Sequence, residues 1–188
     1  MKLLTGNEHF TFEDMPINKL LSDFWAWNSS DLLNNTLRGA LAEFIVASSL
    51  GIDTDNTRKD WEAFDLLYKD ICIEVKSSAY LQSWEQEKPS KIQFGISPSR
   101  SWTSEQNYDD EVKRHSDVYV FALFICLGRA EANPMILEQW DFYVLPTKLL
   151  DEHCSTQKSI SLPSLMKLEP IMANYGSLPE AIEEALCR

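Results

Sequence analysis

The run DVYVFALFIC at 117–126 is apolar at almost every position. A strand with one wet face alternates polar and apolar residues, whereas a strand apolar on both faces must be covered on both. This segment therefore belongs at the centre of a sheet with a layer on each side. Pro16 followed by INKLLSDFWAW has the proline-first signature of a short helix ending near Asn28. SSDLLNNTLRGALAEFIVASSLG predicts a second helix, with Ser30 or Asp31 as N-cap, a stripe through Leu33, Leu37, Leu41, Phe44 and Ser48, and Gly51 as its stop. Glu43 lies between the small residues Gly39 and Ala47, a side of the helix suited to close approach. Residues 63–68 and 71–78 read as a hairpin, KIQFGIS at 91–97 alternates, WDFYVLP is a strand ended by Pro146, and SLPEAIEEALCR is a closing helix. Helices ahead of a mixed sheet with a doubly buried strand predict an α/β fold, three-layer α/β/α.

The hairpin FDLLYKDICIEVKSS at 64–78 carries charges where a core is expected. A two-residue turn at Lys69-Asp70 pairs residue 68 with 71 and 67 with 72, and so sets Asp65 opposite Glu74. Directly opposed side chains stand about 4.5–5.5 Å apart, and like charges there repel. Alternation sends Cys72, Glu74 and Lys76 to one face, so Lys76 stands beside the two acids. An edge hairpin meeting water is one reading; but Phe64, Leu66, Leu67 and the apolar strands that follow place it in a covered sheet. A buried network of these three residues leaves one negative charge unpaired, at a considerable desolvation cost. A divalent cation resolves this better, and Mg²⁺ characteristically takes one or two carboxylates and keeps waters or phosphate oxygens elsewhere.

These residues resemble the PD-(D/E)xK nuclease superfamily, the restriction-endonuclease-like fold. Its pattern is an acid on one strand, (D/E)-x-K on the next and a glutamate from a preceding helix, matched here by Asp65, Glu74-Val75-Lys76 and Glu43. The motif core covers residues 38–82, within one domain spanning 1–188 that closes with a helical segment at about 163–188. AFD rather than PD precedes the first acid. The resemblance implies Mg²⁺, replaceable by Mn²⁺, held by Asp65, Glu74 and the Val75 carbonyl. It further implies that Lys76 stabilises the attacking water with a lowered pKa, and that Glu43 holds that water or a second ion. Gln82 matches a glutamine found after the lysine in several such families, where it helps shape the site. Arg38 reads as a solvated surface residue.

The chain carries 29 acidic and 17 basic residues, a net charge of −12, which opposes the basic footprint usual for nucleic-acid binding. Acid in NYDDE at 107–111 and PEAIEEAL near the C-terminus can lie away from the cleft. Arg58, Lys59, Lys88, Lys91, Arg100, Lys113 and Arg114 surround the motif and can meet phosphates. The expected activity is Mg²⁺-dependent hydrolysis of phosphodiesters, in DNA, in a restriction, repair or defence setting. A partner protein or a homodimer would supply part of the DNA-binding surface. The alternatives are a catalytically silent interaction module of the same fold, and a metal-dependent hydrolase of a small phosphorylated substrate. Trp25, Trp27, Trp84, Trp102 and Trp140 would serve a core or an interface. Isolated His9, His115 and His153 have no metal-ligand spacing. Scattered Cys72, Cys126, Cys154 and Cys187 suit reduced thiols in the cytoplasm, and no membrane span or signal peptide is expected.

Overall fold

The computed structural model describes residues 2–55, 57, 63–100 and 112–188. Arg58, Lys59, Trp102 and the acidic run at 107–111 lie outside the described residues. The first elements are a ribbon of β1 (His9–Phe12) and β2 (Met15–Leu20), then α1 (Leu21–Ser29) and α2 (Asn35–Ser49). There follow β3 (Leu66–Tyr68), β4 (Ile71–Ala79), β5 (Gln93–Gly95), β6 (Val118–Phe124) and β7 (Trp140–Pro146). The remainder is α3 (Thr147–Cys154), β8 (Ser159–Ser161), α4 (Leu162–Met166), β9 (Ile171–Ala173) and α5 (Leu178–Leu186).

The doubly apolar run becomes β6, buried at every position and central in a five-stranded sheet of order β3-β4-β6-β7-β9. β6 is parallel to β4 and antiparallel to β7, so the sheet is mixed. On one face, Ile73, Val75, Val120 and Val144 pack against Ala42 and Val46 of α2 and Ile182 of α5. On the other, Phe121, Leu123 and Tyr143 meet Phe94 of β5, Leu150 of α3 and Leu165 of α4. Each fully buried Phe or Leu contributes about 1.5–3 kcal/mol of apolar burial, so both covering layers are strongly held. The result is the expected three-layer α/β/α arrangement with a central mixed sheet.

Several boundaries differ from the sequence reading. Pro16 lies inside β2, not at a helix start: Glu13 and Asp14 both take positive φ and turn the ribbon, whose strands tolerate proline because they carry open edges. The helix begins only at Leu21, where Asp23 accepts the Leu20 N–H at 2.8 Å. The cap of α2 is Asn34, whose Oδ1 accepts from Thr36 and Leu37. Asp31 instead folds its own turn by accepting from Leu33, and Ser30 donates back to Ala26. Gly51 does end the helix, at φ 66°, with Gly51 N–H bonded to Ser48 and Ile52 N–H to Ala47. The buried face of α2 runs through Arg38, Ala42, Ile45 and Val46 and leaves Phe44 exposed. Among the described residues, nothing lies within 4 Å of where a Cβ on Gly39 would stand. Toward the C-terminus, β9 interrupts the helical segment expected from residue 163. Trp140 is in the core, while Trp25, Trp27 and Trp84 are exposed.

The hairpin turn is the expected two-residue one, pairing Tyr68 with Ile71, Leu67 with Cys72 and Leu66 with Ile73. Lys69 and Asp70 take φ of 47° and 65°, so two non-glycine residues occupy the left-handed region a primed turn requires. Asp70→Gly is expected to raise stability by about 0.5–1 kcal/mol, read as a higher urea midpoint at unchanged m-value. The register should be unaltered, with Tyr68 still paired with Ile71 and Leu66 with Ile73.

Candidate active site

β3 is the outer strand of the sheet, so the hairpin lies at an edge rather than in the sheet interior. The edge is nonetheless sheltered. The side chains of Asp65, Glu74 and Lys76 are only 21, 19 and 32% exposed. Continuing the β3–β4 register sets Asp65 across from Glu74, and the Lys76 ammonium contacts both acids. It is bonded to Glu74 Oε1 and lies 3.9 Å from Asp65 Oδ2. The three charges expected to share a face do so.

The ladder ends at this point in an informative way. Asp65 N–H still donates to the Ile73 carbonyl at 3.0 Å, but the next bond belongs to a side chain: Val75 N–H donates to Asp65 Oδ2 at 2.8 Å. Asp65 thus replaces the backbone partner that a longer β3 would supply. Even-numbered residues of β4 turn their backbone polar groups toward β6, as the Cys72 carbonyl does in accepting from Asp117. Val75 therefore directs both its N–H and its carbonyl to the β3 side, beyond the end of that strand. The Asp65 and Glu74 carboxylates, both beside the Lys76 ammonium, lie at this strand end.

Glu43 is buried on α2, and its charge reaches both Glu74 and Lys76. Burial, then Asp65, raises the Glu74 carboxyl above its ordinary value, with Glu43 adding to the effect and Lys76 opposing it. Burial pulls the Lys76 ammonium down, but Glu74, Asp65 and Glu43 outweigh it, and its pKa lies above the usual lysine value. The lowered lysine pKa expected from the sequence belongs to an ammonium beside a metal ion; with the three carboxylates alone around it, the shift is upward.

Arg38 is not a surface residue. It is 4% exposed, donating from Nε to Ser77 Oγ at 3.1 Å, from one terminal nitrogen to the Leu33 carbonyl at 2.9 Å and from the other to Asn35 Oδ1 at 2.8 Å. Gln82 is also buried: its Oε1 accepts from Arg38 at 3.5 Å and its amide donates to the Ala79 carbonyl at 3.0 Å. It braces the end of β4 rather than joining the carboxylates in a hydrogen bond. Arg114, expected at phosphates, is buried against the Ile96 and Cys154 carbonyls and Asp151. Lys88, Lys91, Arg100 and Lys113 are exposed. Sequence reasoning missed Tyr119, which is buried on β6 in register with Glu74 and shares its face. Burial, then the Glu74 charge, holds its phenol above the ordinary range. The signal was present: Tyr119 is a polar-tipped residue within an otherwise aliphatic and phenylalanine-rich run.

The donor set suits a hard cation. Among the described residues no group of three or more His, Cys, Asp or Glu side chains could hold a metal by itself. Two carboxylates and a carbonyl match the partial protein shell typical of Mg²⁺, which leaves positions for water or phosphate. Among the described residues, no helix is long and apolar enough to cross a membrane.

No curated protein matches the chain. Residues 17–164, most of its length and the whole of the site described above, match the family described as Bacteriophage T4 endonuclease IV. The chain belongs to the bacteriophage T4 endonuclease IV family, a family of nucleases.

Proposed function

We propose that this protein is a Mg²⁺-dependent endonuclease that hydrolyses DNA phosphodiesters at Asp65, Glu74 and Lys76, with the site organisation of the PD-(D/E)xK superfamily. The observation that carries the reading is the Lys76 ammonium set between the Asp65 and Glu74 carboxylates, with Glu43 adding a third acid, in a chain of an endonuclease family. Such a cluster is costly unless cationic charge completes it. Asp65, Glu74 and the Val75 carbonyl would hold the ion, with Mn²⁺ able to substitute. The bound ion supplies Lewis-acid polarisation of the phosphate and offsets its developing charge.

The chain's own groups do the rest. Asp65 is oriented by its bond from Val75 N–H, so its second carboxylate oxygen is presented in a fixed direction. Lys76, held against the Glu74 and Asp65 carboxylates, is a donor that can exchange a carboxylate for the attacking water or a phosphate oxygen. Glu43 orients water from the opposite element, and Gln82 shapes the site indirectly through the end of β4. Lys88, Lys91, Arg100 and Lys113 supply phosphate contacts, few enough that binding is weak and salt-sensitive on a chain of net charge −12. A restriction, repair or defence setting, and a cytoplasmic location, fit such an activity.

The direct test is calorimetric titration of Mg²⁺ and Mn²⁺, followed by cleavage of single-stranded, duplex and branched DNA. Saturable binding with metal-dependent cuts is expected. A chain that neither binds these ions nor cuts any of the three substrates would rule the proposal out. Lys76→Met is expected to lower kcat by about 10²–10³-fold, the usual cost of losing one donor aimed at developing charge, with KM changed little.

A further inference from the structure

The N-terminal unit formed by β1, β2 and α1 has no core of its own. Every residue of β1 is exposed, β2 is exposed up to Leu20, and α1 has no buried residue. Yet the unit is apolar. Phe12 pairs with Met15, and Phe10 and Ile17 are also exposed on the ribbon, whose register shifts between His9 and Thr11. α1 adds Phe24 and Trp27, whose rings lie 6.3 Å apart, with Trp27 83% exposed.

Local bonds give this unit a defined shape. Leu21 N–H donates to the Glu8 carbonyl and Ser22 N–H to the Gly6 carbonyl, which locks ribbon to helix. Gly6 takes φ 89° with the Trp25 ring so close that a Cβ would stand 2.9 Å from it. Hydrogen bonds alone do not sustain such a unit: a two-stranded ribbon is marginal in water, and so is a helix of nine residues. Something must cover it.

We infer that a second copy of this chain covers it, the ribbon and α1 of one protomer packing on those of its partner about a two-fold axis. At the exposures found, the six side chains named together present on the order of 700 Å² to water within one short stretch of chain. It is close to the ~800 Å² that each partner buries in a stable interface. A two-fold arrangement lets one surface cover itself. Nucleic acid fits this unit poorly: its sequence carries Glu8, Glu13, Asp14 and Asp23 against Lys2 and Lys19.

Light scattering on the full chain across a dilution series should give twice the chain mass, falling to the single mass at the lowest concentrations. Hydrogen exchange should show the amides of β1 and β2 protected in the dimer and released on dilution, while β4 and β6 stay protected throughout. Phe12→Glu and Trp27→Glu should each raise the dissociation constant by at least about tenfold. Met172→Glu, at an exposed site on β9, should leave it unchanged. A wild-type chain monomeric at every concentration overturns the inference whatever the variants do. So does a dimer that survives both arm substitutions, one broken by Met172→Glu, or an arm protected only when DNA is added.

Discussion

Glu74→Ala is expected to abolish Mg²⁺ binding measurable by calorimetry and to lower metal-dependent cleavage by more than about 100-fold. That figure is the upper end for losing an outer-shell partner, and Glu74 is placed to hold the ion itself. The fold should survive. Glu74 contributes one ion pair with Lys76, while its burial and its proximity to Asp65 disfavour its charge. Removing one acid from a cluster of three against a single ammonium therefore leaves thermal stability in chelator unchanged or higher, and the extra stabilisation that Mg²⁺ confers on the parent disappears. Asp65 makes a useful contrast, because it is both acid and structural acceptor. Asp65→Asn keeps an oxygen for Val75 N–H and should lose metal without loss of stability. Asp65→Ala should lose metal and, in addition, about 1–3 kcal/mol from the unpaired N–H at a half-buried strand end. Wild-type cleavage by Glu74→Ala would sink the assignment.

Arg38→Ala should be the most destabilising of the polar substitutions, by about 2–4 kcal/mol. The guanidinium is almost fully buried and binds neutral acceptors from the turn before α2, from α2, from β4 and from the segment after β4: the Leu33 carbonyl, Asn35, Ser77 and Gln82. Burial lowers its pKa, so part of this bonding offsets the cost of an interior charge. Truncation removes the bonds, leaves buried acceptors unsatisfied and opens a cavity at the junction of α2 with β4. In a chain of this length each kcal/mol moves the midpoint by roughly 2–4 °C, so a fall of about 10 °C is expected by calorimetry or circular dichroism. Cleavage below the new midpoint should fall less than in Glu74→Ala, because Arg38 acts through the placement of α2 and β4. If Arg38→Ala melts with the parent, the network is incidental to stability.

Much of the sheet could be read from strand patterning. β6 is apolar on both faces because both sides are covered, and the alternation at 91–97 survives in the buried Ile92, Phe94 and Ile96. The hairpin register was legible because a two-residue turn leaves one pairing, and that pairing set Asp65 against Glu74. The elements misread were those whose local signals compete. Pro16 permits a helix start or an open-edged strand, and the turn at Glu13-Asp14 decides for the strand. Ser30, Asp31 and Asn34 are all competent caps, and the local bonds of Ser30 and Asp31 leave the helix to Asn34. Arg38 was misjudged because one arginine on a helix looks the same in sequence whether it meets water or a strand-borne serine.

What the sequence determined by itself was local and periodic: a doubly buried strand, a tight hairpin, and three charges whose spacing puts them on one face. These depend on backbone repeat and turn length, which short stretches of chain specify. Tertiary structure decided what depends on distant partners. It placed the hairpin at the sheet edge, ended β3 so that the Asp65 side chain takes the Val75 N–H, and brought the charge of Glu43 within reach of Glu74 and Lys76. It also gathered the three carboxylates that raise the Lys76 pKa, because a pKa is set by the sum of burial and every charge nearby, and that sum exists only once the elements have packed.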